Sequence, residues 1–126
     1  MENTHQTQPE PWMFQVQAGM FDPRIMNQTT YWINHDAQIL AIDEMTTEHI
    51  ANVIAMLEND PNHYYFAALI DALIELADSL MGGRQSGEVL AYQLTGHSLS
   101  DATPEQWLQS TPLMRHLRQI LKRRAS

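Results

Sequence analysis

The chain has 126 residues, 44% of them hydrophobic, no cysteine, and a formal net charge of −8. That length carries one domain with a modest core, and the missing cysteine excludes disulfides, thiolate metal sites and cysteine nucleophiles together, which fits a reducing, cytoplasmic setting. The first residues lack the basic-then-apolar order of a secretory signal, and no apolar run approaches the ~20 residues of a membrane helix, so a soluble acidic protein with no membrane partner is expected.

In chain order, residues 1–11 read as a disordered lead-in rich in Gln, Thr and Pro, ahead of a single α+β domain over 12–126. Residues 13–17 (Met-Phe-Gln-Val-Gln) are short and partly alternating, a weak strand signal, and Asp22-Pro23 marks a turn. Residues 29–33 are β-branched and aromatic, 38–42 (Gln-Ile-Leu-Ala-Ile) read as a second strand, and 34–37 (Asn-His-Asp-Ala) can turn tightly between them, which predicts a hairpin. Such a hairpin is marginal alone and needs helices to pack on.

Thr46 is positioned to cap a first helix, with Met45 and Ile50 as a hydrophobic staple and Val53, Ile54 and Leu57 continuing at helical spacing. Pro61 ends it, because the residue before a proline is driven out of the helical region. A second helix then runs to Met81, with Gly82 as its left-handed stop. Its apolar set, Phe66, Leu69, Ile70, Leu73, Ile74, Leu76, Ala77, Leu80 and Met81, covers nearly half the circumference. So wide a stripe predicts burial against two neighbours, one of them another copy. Asp71, Glu75 and Asp78 fall on the other side as an acidic ridge. A short helix is possible within 88–94, and 96–100 reads as loop. Thr103-Pro104-Glu105-Gln106 is a capping box, and Thr111-Pro112 opens a last helix with Leu113, Leu117, Ile120 and Leu121 inside. The whole predicts a small N-terminal antiparallel β hairpin or meander packed on a body of three to four helices.

All fifteen carboxylates precede Arg115, with only Arg24 and Arg84 as cations among them. The last twelve residues carry Arg115, Arg118, Lys122, Arg123 and Arg124, so a body of −13 meets a tail of +5. Three readings of the tail stand open. Basic groups at a helix C-terminus favour its dipole; they can face the acidic ridge, within or between chains; or they can meet phosphate. Arg115, Arg118 and Lys122 are the candidate ligand-binding residues, with Arg84 in the glycine-rich 82–87 loop as a weaker one. Asp71, Glu75 and Asp78 are the candidate partner-binding residues. The −13 body repels a polyanion and argues against a duplex nucleic-acid partner. Tyr64, Tyr65 and Tyr92 can form a stacking face or sit as boundary residues.

Catalytic and metal motifs are missing. None of the six histidines has zinc-motif spacing, although His35-Asp36 could hold a metal weakly. No serine lies in a nucleophile elbow. No cofactor, metal or catalytic residue is predicted, and the expectation is a non-enzyme. His49 and Asn52, three apart on one helix edge, are expected to hold the preceding turn by hydrogen bonds.

Residues 32–57 contain Trp32, a turn, Leu40-x-Ile42-x-Glu44-Met45, three residues, then His49-Ile50-x-Asn52-x-Ile54-x-Met56-Leu57. This resembles a motif of small accessory proteins of tailed phages and prophages: tryptophan, a turn with glycine, a strand, then Met-x3-His-Leu-x-Asn-x-Ile. Ala37 stands where those proteins carry the glycine. The resemblance covers about 26 of the 126 residues and implies no catalytic activity. It implies an accessory protein acting by binding, for example an anti-defence protein inside a host cell. Expected targets are a phosphorylated small molecule or nucleotide signal held by a homo-oligomer, or a host protein met through the acidic ridge. The alternatives are a DNA-binding regulator using the helices of residues 103–124, and an acidic nucleic-acid mimic that inhibits a host nuclease.

Overall fold

The computed structural model describes residues 8–82 and 103–125. Its α+β architecture is a two-stranded antiparallel hairpin near the N-terminus packed on helices. Arg84, Tyr92, His97 and the possible helix within 88–94 lie outside the described residues.

The chain is first ordered by side chains gripping backbone. A 3-10 turn, Pro11–Gln15, replaces the strand expected at 13–17. Pro11 presets the helical φ at its first position, and Met13 N–H closes on the Glu10 carbonyl at 2.9 Å. Only Met13 of this stretch is buried, so one apolar anchor suffices. A second 3-10 turn, Pro23–Asn27, sits on the Asp22-Pro23 signal, with Asp22 Oδ1 accepting from Arg24 N–H at 3.0 Å. It buries Ile25 and Met26.

Strands β1 (Tyr31–Ile33) and β2 (Ile39–Ala41) pair with Trp32 opposite Leu40. They are shorter than expected because Gln28 takes over the approach to β1. Its Oε1 accepts from Thr30 and Tyr31 N–H, and its Nε2 donates to the Ile25 and Tyr31 carbonyls. In the turn, Asn34 Oδ1 accepts from Asp36 N–H at 3.0 Å and Gln38 N–H at 2.9 Å. Ala37 takes φ +65°, the left-handed conformation that glycine adopts without a Cβ penalty.

Helix α1 (Thr47–Asn59) is capped by Thr46, whose Oγ1 accepts from His49 N–H at 3.1 Å. Met45 and Ile50 are both buried, as the staple requires. Asp60 leaves the helical region ahead of Pro61, and α2 (Pro61–Gly82) begins there. Gly82 is thus the last helical residue. Helix α3 (Pro104–Ser110) has the full capping box of Thr103 and Gln106, and α4 is Pro112–Ala125. Buried Thr111 joins them: its hydroxyl donates to the Leu108 carbonyl and accepts from Met114 N–H.

The core gathers Met13, Ile25, Met26, Trp32, Ile42, the inner face of α1, Trp107 and Leu108 of α3, and Leu113, Met114, Leu117 and Ile120 of α4. Helix α2 departs from expectation. It meets the core through Ala68, with Ala72 also buried, and through half-buried Tyr64 and Tyr65. Phe66, Ile70, Leu73 and Ile74 are 63%, 53%, 53% and 56% exposed. These four residues of the apolar stripe, with exposed Ala77, turn away from the body. Two alanines present so little bulk that the helix can lie close to α3 on that side.

Candidate functional site

A concavity is built by the hairpin, α1 and the start of α2. It encloses about 360 Å³, within the range of small-molecule sites. Trp32 and Val53, both buried, form its floor, and Phe21 and Tyr64 stand as aromatic walls with centroids 4.8 Å apart, edge to face. His35, His49, Asn52 and His63 surround the opening, and Met20 and Met56 add flexible apolar surface. Gly19 lies at one edge at φ +82°, where its N–H donates to the His35 carbonyl at 2.8 Å. A side chain there would be strained.

His49 and Asn52 do not hold the preceding turn as expected. The turn is held by the Thr46 hydroxyl on His49 N–H, while both side chains open on the cleft. Among the described residues the side chains of His35, His49, Asn52 and His63 make no hydrogen bond. The His63 ring packs edge-on against Tyr64 at 4.9 Å. Among the described residues no Asp, Glu, Lys or Arg lines the cleft. Each imidazole and the Asn52 amide can donate and accept, so the rim selects by hydrogen bonding and the walls by stacking. Burial, then the Asp60 carboxylate, pushes the Tyr64 hydroxyl above its ordinary pKa.

Eight of the cleft residues, Trp32, Ile33, Asn34, His35, His49, Asn52, Val53 and Met56, fall within the 32–57 motif stretch. No family model, curated protein or solved structure matches this chain.

The basic residues stand elsewhere. Arg115, Arg118 and Lys122 are exposed on α4, and none lines the cleft or the two smaller hollows around Arg24 and Asp71. Arg118 is engaged within the chain, donating through Nε to Gln109 Oε1 at 2.8 Å and pairing with Glu58. Gln109 Nε2 completes the triad on Glu58 at 2.8 Å. Arg124 is likewise engaged with the start of α1.

The acidic ridge divides. Glu75 and Asp78 are exposed, whereas Asp71 is half-buried beside the 3-10 turn Pro23–Asn27. Burial first, and Asp22 second, push its carboxyl above the ordinary pKa, with Arg24 opposing. Arg24 forks onto Asp22 at 3.1 and 2.7 Å and lies 4.6 Å above the Trp12 ring. Of the expected stacking residues, Tyr64 reaches the cleft, and Tyr65 instead packs edge-on against core Trp107 at 5.7 Å. Among the described residues no group of three His, Asp or Glu is placed to hold a metal, and no helix is long and apolar enough to cross a membrane.

Proposed function

We propose that this chain is a non-enzymatic, phage-type accessory protein that works in a host cytoplasm by binding. It takes a planar heteroaromatic ring, of the kind a nucleotide signal carries, into the cleft between the hairpin, α1 and α2. The convergence on an aromatic-walled cavity of four polar side chains that have no hydrogen-bond partner among the described residues carries this reading. A base-like ring has a face for Phe21 and Tyr64 and edge groups for His35, His49, Asn52 and His63. Any phosphate on such a ligand would stay in solvent, since among the described residues no cation lines the cleft. The intrachain roles of Arg118 and Arg124 count against the α4 ridge as a phosphate site. We further propose that the protein acts as a homo-oligomer, as the outward apolar face of α2 suggests.

Calorimetric titration with a panel of nucleobases, nucleosides and nucleotides tests the reading. Binding is expected for a subset that shares a base, and His49→Ala or Asn52→Ala should weaken it by about tenfold, one hydrogen bond's worth. No binding by any of the panel, or binding indifferent to both substitutions, would sink it. Charge reversal at Arg115 should leave the affinity unchanged.

A further inference from the structure

We infer that α2 pairs antiparallel with α2 of a second copy, about a two-fold axis passing between positions 71 and 72. This deepens the self-association proposed above and rests on it. Large contiguous apolar surface on a soluble protein marks an interaction site. The α2 face offers Phe66, Ile70, Leu73 and Ile74, each more than half exposed, with exposed Ala77 extending it.

The order of residues selects the occupant. Counted outward from the midpoint of 71 and 72, position 70 pairs with 73, 69 with 74, and 66 with 77. Every one of these positions is apolar: Ile70 and Leu73, Leu69 and Ile74, Phe66 and Ala77. An isologous interface needs this self-complementarity, because one patch must fit its own rotated image. Phe66, the largest of the six, would lie over Ala77 of the partner subunit, the smallest, so that ridges can enter grooves.

Charge points the same way. Two copies each at −8 repel, so they meet best on a face without charge. The six positions carry none. Asp71, Glu75 and Asp78 lie on the other side of the helix, so no carboxylate enters the seam.

Sedimentation velocity and crosslinking test the inference on the full chain. The wild type should sediment as a dimer. Leu73→Glu should raise the dimer dissociation constant by at least about a hundredfold, because it places a carboxylate in an apolar seam. The melting temperature of that variant's protomer should hold, since Leu73 is exposed there. The chain has no cysteine, so Phe66→Cys and Ala77→Cys chains can be mixed and oxidised. A 66–77 disulfide between chains is expected. A 66–66 disulfide is not, since about 16 Å along the axis would separate those positions. A monomer at the highest soluble concentration overturns both this inference and self-association. A dimer that survives Leu73→Glu, or that yields 66–66 disulfides, overturns the α2 pairing and leaves self-association standing. Nucleobase titration of the same variants reads the cleft separately.

Discussion

Arg124 Nη1 donates to the carbonyl of Met45 at 2.8 Å, across 79 residues of chain. The same nitrogen reaches Thr47 Oγ1, and Nη2 reaches the Asp43 carbonyl. One guanidinium therefore gathers the segment that leads into α1, on both sides of its Thr46 cap. A planar fork does this where an ammonium would reach one acceptor at a time. Arg124→Ala should lower stability by about 1–2 kcal/mol, and Arg124→Lys should recover less than half of that. Urea unfolding monitored by circular dichroism measures both; an unchanged midpoint for Arg124→Ala would remove the clasp from the account.

The Arg118–Glu58 pair should matter much less. Its side chains are 47% and 35% exposed, so water and salt screen it. A double-mutant cycle with Arg118→Ala and Glu58→Ala should give a coupling of about 0.2–1 kcal/mol. The coupling should fade in molar salt; one that persists there would mean the pair is shielded from solvent.

Ala37 holds a left-handed φ of +65° at the tip of the hairpin. An L-residue there carries about 1–2 kcal/mol of strain, while glycine loses more chain entropy on folding. Ala37→Gly should thus stabilise the protein by up to about 1 kcal/mol. A lower melting temperature in that variant would show that the turn adopts another shape.

Asp71 makes a prediction about pH. Its carboxyl sits above the ordinary value, chiefly through burial and then through Asp22. The folded protein therefore binds that proton more tightly than the unfolded chain does. The resulting penalty is absent below the unfolded chain's pKa, grows as pH rises toward the folded value, and is constant above it. Asp71→Asn should melt higher than wild type at pH 7, and the gap should shrink by pH 3. A gap that widens in acid would reverse the sign and disprove the stated cause.

Much of the fold was legible from short-range chemistry. Thr46, Thr103 and Thr111 announce helix starts because a hydroxyl two or three residues ahead of an N–H is a local arrangement. The inner face of α4 was legible too, since Leu113, Leu117 and Ile120 recur at one helical angle and are all buried. The side on which α2 packs was not. Periodicity finds an apolar face but does not say what covers it, and Ala68 and Ala72 are too small to register as a core stripe. The cleft was less legible still, because Phe21, Trp32, His49 and His63 arrive from four separate segments. Its one local trace was the three-residue spacing of His49 and Asn52, which reads equally well as a turn support. Arg118 looked available for a ligand because nothing near it in the chain reveals Glu58.

The placement of α4 has a kinetic consequence. Leu113, Met114, Leu117 and Ile120 complete the core, and α4 packs on α1 and on the 3-10 turn Pro23–Asn27. The hairpin and α1 precede α4 by some fifty residues of chain, yet the apolar side of α1 is not fully covered until α4 arrives. Joining such distant segments requires a long loop to close before its contacts repay the lost entropy, which slows folding relative to bundles of sequence neighbours. A nascent chain would pass through a stage with part of the apolar face of α1 uncovered, the state in which chaperones and aggregation compete for it.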